Sequence, residues 1–191
     1  MQTRIGRWLA TGLATTALLM AAPASAAWAL NGSKQLALHT RDGQTLPIGR
    51  VEFQPDGDGG ARFELKFDPA RFQEHFLSMR AFKCVDGADE IVCHVPYPYP
   101  SPQTVMAKDL RWLESHLIFL YKTPSEFGAK LWNGLYFRMQ LGEHGIVGEV
   151  ETVDLNEISA PPDHPDEPPY PPERRGEVTP GSRWIERLTI E

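Results

Sequence analysis

Cys84 to Cys93, CVDGADEIVC, is the stretch from which the fold is read. If the chain reverses around Gly87 to Glu90, Asp86 faces Ile91, Val85 faces Val92 and Cys84 faces Cys93. That cross-strand register puts the two β-carbons within bridging range. The pair is therefore expected to form a disulfide across an antiparallel hairpin, stabilising by about 2 to 3 kcal/mol on the chain-entropy argument. The rival reading, a reactive thiol at Cys93 beside His94, fails because adjacent residues of a strand point to opposite faces.

Outward from the hairpin, short Val-, Ile-, Phe-, Tyr- and Leu-rich segments alternate with turn clusters, the signature of an antiparallel sheet. Strands are expected over 34–39, 46–54, 61–67, 79–85, 90–96, 116–122, 131–141, 146–155 and 183–190. Leu135, Phe137, Met139 and Leu141 alternate with Arg138 and Gln140 as in a half-buried strand. Leu117 to Tyr121 is apolar on both faces and belongs centrally. Reversals are expected at 55–60 and 142–145. Asp68 before Pro69, with Phe72 and Phe76 four apart, predicts a short helix over 69–77, and Met106, Leu110 and Leu113 predict another over 107–114. The fold class is thus mainly β: a small antiparallel barrel or barrel-like sheet with one or two short helices and a cross-strand disulfide.

The first 26 residues read as a signal peptide: Arg4 and Arg7, an apolar run from Trp8 to Ala22, and the small triplet Ala24-Ser25-Ala26. Such a leader implies export, an oxidising compartment (periplasm or outside the cell) and no transmembrane anchor after cleavage. Residues 27–191 are then a single β-rich domain. The formal charge of -6 becomes -8 without the leader's two arginines, which argues against nucleic acid and anionic lipid as partners.

Proline is concentrated. Of 17 prolines, four lie in Pro96 to Pro102 and seven in Pro161 to Pro172, so both segments are expected to be extended loops. The second belongs to a surface loop over 160–182, after which 183–190 returns to the sheet.

No nucleophile elbow, H-E-x-x-H, Walker loop or G-x-G-x-x-G is present, and no catalytic residue is assigned. Asp56 to Gly60 is a turn rather than a calcium loop. His39, His75, His94, His116, His144 and His164 include no H-x-H or H-x-x-x-H pair, so no metal or cofactor is assigned. Glu74, His75 and Ser78 read as the end of the short helix, not as a triad. Aromatic residues are the remaining candidates: Trp132, Tyr136 and Arg138 share one face of a strand and are expected to bind a small apolar or aromatic ligand. Tyr97, Tyr99 and Tyr170 in the proline segments are expected to dock an envelope partner. A hydrolase using Glu149, Glu151 and Asp154 is the third and weakest class.

WALNGS (Trp28 to Ser33), EHFLSMRAFKC (Glu74 to Cys84), EIVCHVPYPYP (Glu90 to Pro100), KLWNGLYFR (Lys130 to Arg138) and the terminal RWIERLTIE (Arg183 to Glu191) together resemble uncharacterised exported proteins of Gram-negative bacteria. That resemblance implies an envelope protein and assigns no activity. A lipocalin-like barrel is an analogy of architecture only, because Ala26 stands where the G-x-W motif before Trp28 would have glycine.

Overall fold

The computed structural model describes residues 28–77 and 80–191; the leader expected over 1–26, and Ser78, lie outside them. The chain builds one curled, half-barrel antiparallel sheet. Its strands are β1 (Gly32–Thr40), β2 (Thr45–Pro55), β3 (Gly60–Phe67), β4 (Gln73–Leu77), β5 (Arg80–Asp86) and β6 (Ile91–Val95), then β7 (Thr104–Met106), β8 (Ile118–Lys122), β9 (Gly134–Leu141), β10 (Ile146–Val153), β11 (Gly176–Glu177) and β12 (Ile185–Ile190). Their lateral order is β4-β5-β6-β8-β9-β10-β12-β1-β2-β3-β7, with β11 beside β10. β4 and β7 are the two edges, so the barrel is not closed.

Register assigns side chains to faces, because residues directly opposite one another share a face. On the inner face lie Leu36, Leu38, Val51, Phe53, Phe63, Phe119, Phe137, Leu188 and Ile190, all buried. On the outer face lie Cys84, Cys93, Leu120 and Tyr136, which are also buried. β8 is therefore covered on both sides, as its unbroken apolar run requires.

The hairpin register is the expected one: Cys84 opposite Cys93, Val85 opposite Val92, Asp86 opposite Ile91, with the disulfide formed. The Asp56 turn closes as a turn, its Oδ1 accepting from the amides of Asp58 and Gly60.

The helix expected over 69–77 is corrected. Asp68 does cap a turn, accepting from the Ala70 amide, but only a 3-10 turn Pro69–Arg71 forms before β4 begins. Pairing of β4 with β5 overrides the four-residue spacing of the two phenylalanines: Phe72 packs edge-on against Phe67 while Phe76 stays in solvent. His75 consequently sits on a strand, 2.8 Å from Asp86, and closes no helix.

The second helix is displaced to α1 (Arg111–His116). A tight bridge between Met106 and Asp109 occupies its expected start, and the Asp109 carboxylate accepts from the Arg111 amide. α1 takes the place β8 would fill if it extended further alongside β9. The Glu114 carboxylate then accepts the Met139 amide hydrogen at 2.7 Å, replacing a ladder bond.

The proline-rich segment is a surface loop held at both ends. From the 3-10 turn Leu155–Ile158 to Trp184 it runs as a strap against the sheet, adding β11 to β10 on the way. Tyr170 is buried and its hydroxyl donates to the Asp154 carbonyl. At the far end the buried Glu90 carboxylate takes the Trp184 amide and pairs with Arg183, and the Trp184 ring lies over Gly87. The strap is thereby fastened to the loop that the disulfide closes.

Candidate functional site

Where the strap leaves the sheet, its first turn stops short of the hairpin and leaves an apolar cleft of about 180 Å³. Phe82 of β5, Val95 of β6 and Leu120 of β8 line one side, Leu155 and Ile158 of the strap the other. Pro96 and Pro98 of the first proline segment and Leu131 of the turn before β9 form the rim. Local sequence explains this convergence. β6 ends at Val95 because Pro96 cannot extend the ladder, so the chain peels away beside the opening. Leu131 is held at the rim by its carbonyl, which accepts from the Leu155 amide at 2.7 Å.

Arg80 is the charged member of the lining. Its guanidinium lies 4.5 Å over the Phe82 ring. On the connection between β8 and β9, which brings Leu131 to the rim, Trp132 is 64% exposed and Phe127 fully so.

The expected ligand triad is divided by this arrangement. Tyr136 and Arg138 do share a face of β9, opposite Glu151 and Glu149 respectively, but the strap covers Tyr136 and leaves Arg138 partly in solvent. Tyr136 is wholly buried: its hydroxyl donates to Glu114 at 2.5 Å, and the Arg175 guanidinium stacks 4.4 Å over its ring. Burial beside the Glu114 carboxylate pushes the phenol well above its usual range, so it stays a neutral donor. Arg138 pairs with Glu149 and Glu151. Trp132 stays at the surface, next in sequence to the rim residue Leu131 and apart from its two expected companions.

Among the partner-docking tyrosines, Tyr97 and Tyr170 turn inward and are buried. Tyr99, packed edge-on against Tyr97, is half-buried. Prolines, not tyrosines, are what the first segment offers to solvent at the cleft.

Two other gatherings of chemical groups are structural in character. Glu114, Tyr136, Arg175 and Glu151 form a buried polar cluster that latches the strap: Arg175 donates to the Tyr170 carbonyl at 2.7 Å and reaches toward both carboxylates. Desolvation raises the Glu114 carboxyl above the ordinary glutamate value, opposed by its bonds from Tyr136 and Met139. On the inner side, His94 donates to the His116 carbonyl at 2.9 Å, and His116 donates to the Trp112 carbonyl and meets Ser101. Burial lowers both imidazoles, His94 to about 4, which keeps them neutral. Among the described residues no three metal-ligating side chains gather. Also among them, no helix is long and apolar enough to cross a membrane.

Sequence reasoning missed Arg80, Phe82, Leu120 and Ile158 as cleft residues and Arg175 as the latch. Phe82 and Leu120 share a face through the register of β5, β6 and β8, and what covers that face comes from Leu155 and Ile158, for which no local signal exists. Protein-family profiles, curated proteins and solved structures yield no match to this chain, so its geometry alone bears on what it does.

Proposed function

We propose that this is an exported, non-catalytic binding protein of a Gram-negative cell envelope, whose cleft beneath the strap accepts one apolar or aromatic group. The observation that carries the reading is the cleft itself, walled by Phe82, Val95, Leu120, Leu155 and Ile158. Its volume is the scale of a single ring: a dry cavity of about 150 Å³ lined by aliphatic and aromatic side chains holds benzene, whereas drug-sized sites occupy about 300 to 1,000 Å³. A lipocalin-like interior for a large ligand is not what supports the reading; the inner face is packed with its own side chains. Export is supported by the leader-like first 26 residues and by a closed disulfide.

Calorimetric titration of the mature chain with indole tests this. Saturable 1:1 binding is expected, and it is lost in Ile158→Trp, which fills the cleft from the strap side while leaving the fold intact by circular dichroism. Undiminished indole binding in that variant refutes the cleft as the site.

A second reading, a protein-docking module, is favoured by the exposed Phe127 and Trp132 on the connection between β8 and β9. In that case Phe127→Ser with Trp132→Ser removes partner capture and leaves indole binding unchanged. The hydrolase reading draws less support, since Glu149 and Glu151 are tied to Arg138 and Asp154 caps the turn Leu155–Ile158.

A further inference from the structure

The cleft is apolar but for one charge. Arg80 lies at its mouth, laid over the Phe82 ring by a cation–π contact that fixes the direction of its guanidinium. It makes no ion pair among the described residues, and residues 1–27, 78 and 79 contain no acidic side chain that could supply one. Arg41, Arg50, Arg71, Arg111, Arg138, Arg174, Arg175 and Arg183 each meet a carboxylate; Arg62 and Arg187 share the lack of an ion pair with Arg80, but neither lines this cleft. A guanidinium left with open donors beside a ring-sized apolar slot complements a ligand with an apolar body and an anionic end.

We infer that the cleft is selective for a small free aromatic carboxylate, its ring between Phe82, Leu120 and Ile158 and its carboxylate on the Arg80 guanidinium. The inference rests on the cleft-binding reading above and specifies the ligand class. The slot's size sets the ring number at one. The charge of Arg80 sets the sign of the ligand, and its place at the mouth sets the orientation, ring inward and carboxylate toward water. A carboxylate so placed stays partly hydrated and escapes the full desolvation penalty of a buried ion.

The test compares phenylacetate, phenylacetamide and phenethylamine against the mature chain, following methyl resonances of Leu120 and Ile158. Phenylacetate is expected to bind about fivefold more tightly than the amide, the scale of a partly exposed charge pair, and the amine most weakly. In Arg80→Gln the acid's advantage over the amide disappears; Arg80→Lys retains part of the advantage. Thermal unfolding of both variants at the wild-type temperature excludes a folding defect, since the Arg80 side chain lies on the surface.

Equal affinity for acid and amide, or an advantage that survives Arg80→Gln, overturns the carboxylate inference and leaves the cleft reading standing. Failure of all three probes to shift either methyl group overturns both. Tighter binding of a peptide ending in phenylalanine than of phenylacetate overturns the free ligand in favour of a partner's C-terminus.

Discussion

Single side chains set conditions on this molecule that can be measured. His94 is held neutral on the inner face, its proton affinity lowered to about 4 by burial, which outweighs the bond it donates to the His116 carbonyl. The unfolded chain binds that proton near 6.5 and the native state does not. The stability the group contributes is therefore complete above that value and is lost as pH falls toward 4. Chemical denaturation at pH 7 and pH 4.5 should differ by about 2 to 3 kcal/mol from this group alone, and most of that difference should vanish in His94→Gln. Glu114 works in the opposite direction: its carboxyl is raised in the native state, so its contribution is largest in acid and declines as pH rises from the ordinary glutamate range through the raised native value. Gly87 is a steric condition. A β-carbon there would lie 2.6 Å from the Trp184 ring, so Gly87→Ala should cost about 1 to 3 kcal/mol by lifting the strap's end, read as a lowered midpoint in urea.

Elements show where sequence reading succeeds and where it stops. The β5–β6 register was legible because a two-residue period and two cysteines fix it from within ten residues. β8 was legible as a central strand because apolar residues on both faces admit few other places. β4 was not, since a cap and a proline gave the locally correct first turn, and only pairing with β5 makes Gln73 to Leu77 a strand. The strap was half legible: proline content gave its extended course and 183–190 its return to the sheet. Tyr170 in the core and Arg175 on Tyr136 are contacts that composition does not carry. These contacts make predictions at the same scale. Arg175→Ala leaves the buried Glu114 without its cation, while Glu151 keeps Arg138, and should cost about 3 kcal/mol, with faster amide exchange at Gly176 and Glu177 as β11 leaves β10. Replacing both cysteines by serine should cost about 2 to 3 kcal/mol, measured by denaturation at neutral pH.

On the scale of the whole molecule, the curled sheet, the staple and the strap explain one another. A half-barrel has an inner face it can fill with its own side chains and an outer face it must cover. The strap covers the apolar part of that outer face around Tyr136, while Arg50, Arg62 and Glu64 of β2 and β3 stay in solvent, and it is anchored at one end on the disulfide loop through Glu90, Gly87 and Trp184 and further back through Arg175. Its first turn does not reach β5, and the uncovered remainder is the cleft. Of the candidate site, only the neighbourhood of Trp132 was legible in the sequence, because the walls come from three separated regions of the chain. The most direct test is therefore a methyl-resolved spectrum of the protein during titration with a one-ring probe. Progressive, saturating shifts at Leu120, Leu155 and Ile158, with Leu36 and Leu188 on the inner face unmoved, are the predicted result; no shifts at the cleft, or shifts confined to the inner face, contradict it.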